Sequence, residues 1–223
     1  SSNICLCFPL FNIQTLNFSS FPKLLSLDIS NNSFSGTIPQ QITNLFIVSE
    51  LKLNANIFNG LIPIPMMKLA SLSYLKLKAN EIFGHISKEI GELKNLKYLI
   101  LESNRIWGTI PPTVGMLTNL VELELSSNSI HGIIPSIKNL TNLELLKFTN
   151  NSLSSPIPPY IGDLANLIVV ELDSNRISRP IPSNIGNLKK LVNMFQYDNM
   201  ISGSIPTSIR NLINLMGLDL FRT

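Results

Sequence analysis

Apolar residues recur along this chain in one fixed frame. Around Asn104 it reads Leu93, Leu96, Leu99, Leu101, Asn104, Ile106, Gly108, Ile110, Pro111, and seven further copies repeat it with few substitutions. The asparagines of the eight copies, Asn32, Asn56, Asn80, Asn104, Asn128, Asn151, Asn175 and Asn199, stand 24 residues apart with a single step of 23. A period of that length marks a solenoid: each coil carries an apolar face it cannot bury alone, and stacking closes a continuous core. Within each copy the pair L-x-L, such as Leu75 with Leu77 or Leu123 with Leu125, alternates apolar and polar residues at the period of a half-buried strand. The pattern predicts one short strand per coil, paired in parallel about 4.8 Å from its neighbours, and an open sheet of eight strands.

Each asparagine leaves its strand with the amide turned inward. Two donors and an acceptor let it satisfy backbone groups of its own coil and of the next. Truncation to alanine is expected to leave those groups unpaired, at about 1–3 kcal/mol each. Four residues on, Gly36, Gly60, Gly84, Gly108, Gly132 and Gly203 allow backbone angles that a Cβ obstructs. The Ile-Pro that follows has a fixed φ and one donor fewer, which predicts a turn or an edge-type extended piece. The pattern I-G-x-L, as in Ile90, Gly91 and Leu93, is too short for an α-helix and predicts a single 3₁₀ turn on the convex side.

Departures from the frame are few. Gln196 occupies a slot that is Leu or Phe in most copies, Ser155 and Arg179 replace the turn glycine, and Ser87 replaces the proline. The copy between Asn128 and Asn151 lacks one residue, in its convex segment near Ser136 and Ile137. A buried, unpaired Gln196 costs about 1–3 kcal/mol and is expected to loosen the eighth coil.

The consensus L-x-x-L-x-L-x-x-N-x-I/L-x-G-x-I-P-x-x-I-G-x-L resembles the plant-specific leucine-rich repeat, and it covers nearly the whole chain from about Phe21 onward. Runs such as Leu27 to Pro39 are most similar to ectodomains of plant leucine-rich repeat receptor-like kinases, especially those that perceive secreted peptides. The resemblance implies an α/β leucine-rich repeat solenoid, a right-handed superhelix with a parallel β-sheet on its concave face and short 3₁₀ turns on its convex face. It further implies an extracellular, glycosylated domain with ligands docked on the inner face. On this reading residues 1–20 form a divergent N-terminal edge without the usual cap, whose Trp and paired cysteines Cys5 and Cys7 do not reproduce. Residues 21–223 form the repeat domain, about eight full 24-residue repeats and a truncated ninth. The chain stops at Thr223, where a ninth asparagine is due, and reads as a truncated piece of a receptor whose kinase and membrane segments lie elsewhere.

Composition narrows the function classes. The 223 residues carry 17 Lys and Arg against 14 Asp and Glu, a net charge of +3, with the basic residues scattered among acids. That gives nucleic-acid binding little electrostatic support. Polar residues, Gly or Pro interrupt every apolar stretch before the ~18 residues a membrane span requires, so membrane association falls to segments of the parent protein. The two cysteines are separated by one residue, too close to pair easily with each other. Four N-x-S/T triplets, at Asn17, Asn31, Asn139 and Asn150, are candidate glycosylation sites and point to a secreted compartment, although an Asn- and Ser-rich chain also makes such triplets by chance. The start, Ser1-Ser2-Asn3-Ile4, has no basic signal-peptide region and reads as a mature or truncated end.

Catalytic chemistry finds no foothold. His85 and His131 sit in separate coils beside the turn glycine, with no carboxylate or cysteine at ligand or triad spacing, so neither catalytic residues, metal nor cofactor are expected. Function then falls to the exposed strand positions, six, four and two residues before each asparagine, where side chains vary on a fixed scaffold. The candidate ligand contacts are Lys52, Tyr74, Lys76, Lys78, Tyr98, Glu102, Glu122, Glu124, Lys147, Glu171, Asp173 and Tyr197. Lysines gather on the second and third coils beside the tyrosines, and acids dominate from the fourth to the seventh. A linear peptide can lie along this gradient with its carboxylate near Lys76 and Lys78 and its basic residues over Glu102, Glu122, Glu124 and Glu171. The same residues also read as an ordinary solvated strand face. Trp107, on the flank beside the Gly-x-Ile-Pro segments, offers a second face for a leucine-rich repeat co-receptor or simply packs on the neighbouring coil.

The expected function is recognition of a secreted peptide or protein ligand by a cell-surface or apoplastic domain of a plant receptor-like kinase or receptor-like protein, without catalysis. Two rivals share the frame: a secreted inhibitor similar to the polygalacturonase-inhibiting proteins, and an assembly module that pairs receptors through its flank.

Overall fold

The computed structural model describes residues 3–5 and 13–220. Cys7 lies outside them, and so does the pairing of the two cysteines. In chain order the first eight strands are β1 (Asn3–Cys5), β2 (Ser26–Asp28), β3 (Ser35–Thr37), β4 (Glu50–Lys52), β5 (Ile57–Gly60), β6 (Tyr74–Lys76), β7 (Glu81–Gly84) and β8 (Tyr98–Ile100). The rest are β9 (Arg105–Gly108), β10 (Glu122–Glu124), β11 (Ser129–Gly132), β12 (Leu145–Lys147), β13 (Ser152–Leu153), β14 (Val169–Glu171), β15 (Asn193–Phe195) and β16 (Gly217–Asp219).

The strands form two parallel sheets. The concave sheet has ten strands in the order β1-β2-β4-β6-β8-β10-β12-β14-β15-β16, two more than the repeat count predicted. The additions are β1, from the divergent N-terminal edge, and β16, past the last full repeat. The second sheet, β3-β5-β7-β9-β11-β13, was not expected at all. The residues between each asparagine and its Gly-x-Ile-Pro pair with their counterparts one coil away rather than forming isolated turns. This sheet ends at β13, and beyond it only the Ser178–Met200 bridge continues the pattern.

Each coil closes over the core. Leu27, Leu51, Leu75, Leu99, Leu123, Leu146, Val170 and Met194 form one inward row no more than 1% exposed. On the convex side, 3₁₀ turns such as Pro112–Met116, Pro159–Asp163 and Ser183–Asn187 stack coil on coil. The glycine inside these turns is there for close approach: a Cβ on Gly115 meets the Ser136 carbonyl oxygen, and one on Gly162 meets that of Asn184. The coil that lacks a residue has no 3₁₀ turn between β11 and β12.

The asparagine amides bind backward along the stack. Asn104 Nδ2 donates to Leu101 O at 3.0 Å in its own coil and to Leu77 O at 3.0 Å in the preceding one, while its Oδ1 accepts from Ile82 N–H at 3.0 Å. The direction corrects the expectation that each amide serves the next coil. The residue before each of them, from Asn31 to Asp198, takes a left-handed conformation with φ of 51–55° although none is glycine. That turn swings the following asparagine inward. Arg179 adopts φ 73° where other coils place glycine, and Ser155 uses its hydroxyl instead, accepting from Ile134 N–H at 3.1 Å.

Candidate ligand-binding face

The pleat of the concave sheet sends alternate side chains out of the core, so the residues six, four and two places before each asparagine form three rows across the coils. Parallel register puts equivalent residues side by side: Tyr74 beside Tyr98, Glu122 beside Leu145, Glu124 beside Lys147. All twelve predicted contact residues lie on this face, but they are not equally available.

Most of the lysines are already committed. Lys52 Nζ lies 2.8 Å from Glu50 Oε2 and 5.3 Å from the centre of the Tyr74 ring, and the Lys78 ammonium rests against Glu102 Oε2. Lys147 Nζ faces Glu171 Oε1 at 3.8 Å. Lys76 has no ion pair among the described residues, so of the two lysines read as facing the peptide carboxylate only Lys78 is already paired. Next to it Tyr74 and Tyr98 pack ring to ring, 4.9 Å apart and tilted by 37°.

The acids divide in the same way. Asp173 is 4% exposed and accepts from Thr149 Oγ1 at 3.0 Å, so it supports the face instead of presenting a charge. Its charge raises the Tyr197 hydroxyl above the usual tyrosine range. Burial lifts the Glu171 carboxyl, with Lys147 opposing. Glu122 is half-buried and has no ion pair among the described residues.

Glu124 is the most perturbed group on the face. It is 9% exposed, and burial, then its hydrogen bond to Glu102, push its carboxyl up to about 7. Burial acts on Glu102 too, but the hydrogen bond from Glu124 and the Lys78 ammonium outweigh it and hold that carboxyl below its ordinary value. Ser126, on the same inward-curving side, is 6% exposed and its Oγ has no hydrogen-bond partner. Sequence reading placed Ser126 on the face but not in the site. Charges of opposite sign one period apart in a row, Lys78 with Glu102 and Lys147 with Glu171, were the readable signal for the ion pairs.

Elsewhere, Asn17, Asn31, Asn139 and Asn150 are all exposed, and Asn17 also caps the short Phe18–Ser20 turn by accepting from Ser19 N–H. On the second sheet Phe83 and Trp107 are 48% and 53% exposed, with His85 6.0 Å from the Trp107 ring. Among the described residues no group of three or more His, Cys, Asp or Glu is placed to hold a metal ion, and no helix is long and apolar enough to cross a membrane.

Family models agree with this architecture. The model described as leucine-rich repeat region matches residues 63–156, and the leucine rich repeat model matches 23–45 and 166–188. The chain belongs to the leucine-rich repeat family. Its repeats are of the plant receptor-kinase ectodomain type. The plant peptide hormone receptor RGFR1, solved in complex with RGF2, is 32% identical over 92% of this leucine-rich repeat chain, with a TM-score of 0.87. The Arabidopsis receptor kinase HAESA, in complex with the peptide hormone IDA and the co-receptor SERK1, is 25% identical over 94% of it, with a TM-score of 0.67. The chain spans 37% and 45% of those two proteins. A plant ice-binding protein is also similar, 27% identical over 92% of this chain and 67% of its own length, with a TM-score of 0.76. The scaffold alone therefore does not fix the ligand. The comparison with curated proteins gave no match. This leucine-rich repeat fold is that of ligand-binding receptor ectodomains and not of a catalytic domain.

Proposed function

We propose that this leucine-rich repeat domain is the extracellular recognition part of a plant receptor-like kinase or receptor-like protein, and that a secreted peptide lies along its concave sheet. One observation carries the reading. The inner face is polarised after its internal ion pairs are subtracted: Lys76 stands unpaired beside the packed Tyr74 and Tyr98, and two strands on Glu122 stands unpaired beside the Glu102–Glu124 pair. A rigid aromatic pair supplies contact area at low entropic cost, and an unpaired charge at each end fixes the direction of an extended ligand. In this reading the peptide carboxylate meets Lys76.

Capture from plant cell-wall extract on the immobilised domain tests it. A small peptide supports the reading, whereas a wall hydrolase supports the inhibitor alternative. Lys76→Glu is expected to weaken the captured peptide at least tenfold, and Lys78→Glu to act less directly, by freeing Glu102. Unchanged affinity in Lys76→Glu overturns the assignment. The exposed Phe83 and Trp107 favour a second role for the flank, lateral contact with a leucine-rich repeat co-receptor, and Trp107→Ala is expected to weaken that contact without changing peptide affinity.

A further inference from the structure

Six residues before each ladder asparagine, one row of side chains crosses the concave sheet in unbroken register. Tyr74 lies beside Tyr98, Tyr98 beside Glu122, Glu122 beside Leu145, Leu145 beside Val169 and Val169 beside Asn193. The row therefore carries an aromatic pair, one acid and then an aliphatic pair, and all five of these side chains are half-buried. No other described coil puts an aliphatic side chain in this row. Packing across the strands hides one side of Leu145 and Val169, and the other faces the concave hollow. In the next row of the same two strands Lys147 and Glu171 already pair at 3.8 Å, so an apolar group set down here strands no charge. Past Asn193 the row ends at Gly217, over which the Phe195 ring lies: a Cβ there would stand 3.2 Å from two ring carbons.

We propose that Leu145 and Val169 form a second anchor of the ligand face, a seat for one apolar side chain of the peptide, and that this seat fixes where in the peptide the side chain must stand. The inference rests on the reading of the concave sheet as the peptide face with the carboxylate at Lys76, and adds the spacing of the ligand. Lys76 is on β6, and the seat spans β12 and β14, three and four strands further along the sheet. At about 4.8 Å per strand the separation is about 17 Å, which an extended chain rising ~3.3 Å per residue covers in about five residues. The matching ligand carries an apolar residue about five places before its C-terminal residue. A charged or amide side chain at that place gives up its hydration without gaining a partner.

The test uses the full chain, labelled for NMR in its Leu and Val methyl groups and its Tyr rings. The probes are N-acetylated Gly-Ser octapeptides with a free carboxylate, in which a single leucine is moved from the first position to the seventh. Leucine at the third position, five places before the end, is expected to shift the Leu145 and Val169 methyl signals and to bind about tenfold tighter than the peptide without leucine. Leucine at the sixth or seventh position is expected to gain less than about twofold. Val169→Thr keeps the shape and the strand preference while adding a hydroxyl, and is expected to cancel the leucine advantage with the melting temperature unchanged. Leu145→Ala is expected to cancel it as well. Amidating the C-terminus is expected to weaken every peptide alike, because Lys76 and not the seat meets the carboxylate. A leucine advantage that is the same at every position, or that survives both substitutions, overturns the seat, while shifts of the Tyr74 and Tyr98 rings still uphold the concave face as the peptide site. If no peptide moves those ring signals, the concave-face reading fails and the seat fails with it.

Discussion

Truncating one amide of the ladder, Asn104→Ala, separates what the asparagine does from what its neighbours can cover. Asn104 gives hydrogen bonds to Leu77 O, Leu101 O and, at 3.3 Å, Glu102 O, and accepts one from Ile82 N–H. All three carbonyls have a second donor: Asn80 Nδ2 reaches Leu77 O at 3.0 Å, Asn128 Nδ2 reaches Leu101 O at 3.1 Å and Ala79 N–H reaches Glu102 O at 2.9 Å. Among these groups the Ile82 amide is the one left without a partner. Stranding one buried N–H costs about 1–3 kcal/mol, and the three thinned carbonyl bonds add about 1 kcal/mol, so the expected loss is about 2–4 kcal/mol. Urea unfolding followed by circular dichroism gives the total, and amide hydrogen exchange gives its place, since coils couple mainly to their neighbours. Exchange at Ile82 is expected to rise far more than at Phe58, whose amide is held by Asn80 Oδ1. Asn104→Asp keeps the acceptor but sets an anion against all three carbonyls, so at pH 7 it is expected to be worse than alanine and to recover on acidification. A loss below about 0.5 kcal/mol, with the Ile82 amide still protected, refutes the account.

Three further outcomes follow from buried polar groups and close packing. Because folding raises the Glu124 carboxyl above its unfolded value, its protonated form contributes stability that is complete below about pH 4.5 and is lost as the pH rises to about 7. The effect is about 1–3 kcal/mol, and Glu124→Gln is expected to flatten the stability profile measured by urea unfolding over that window. Gln196 is 1% exposed and neither side-chain polar atom has a partner, so Gln196→Leu is expected to raise stability by about 1–3 kcal/mol, and an unchanged midpoint counts against the burial of an unpaired amide there. Gly162→Ala drives a methyl group into the Asn184 carbonyl and is expected to cost at least about 1–3 kcal/mol; a neutral result in thermal melts means that adjacent 3₁₀ turns can slide apart.

Much of the candidate site was legible because its positions follow from the period alone. Counting back from Asn80 or Asn128 put Lys76 and Glu124 on the concave face without any coordinates. Their states were not legible. Lys76 and Lys78 look alike in the chain, yet only Lys78 meets a carboxylate, because the residue one period later in its row is Glu102 while the one after Lys76 is Ile100. The second sheet escaped notice for another reason. Pieces such as Arg105–Gly108 and Ser129–Gly132 carry a single buried apolar residue each and so show no alternation, and what makes them strands is the neighbouring coil's backbone, held in register by the asparagine ladder.

The sequence by itself determined the solenoid, its core row and the inward asparagines, since repeat length and apolar spacing are properties of a single coil copied along the chain. Tertiary structure alone decided which charges cancel, which carboxyl is buried and which hydroxyl is left idle. Those depend on contacts between side chains of adjacent coils at distances of a few ångströms, where burial strengthens every electrostatic interaction and spacing along the chain no longer predicts the partner.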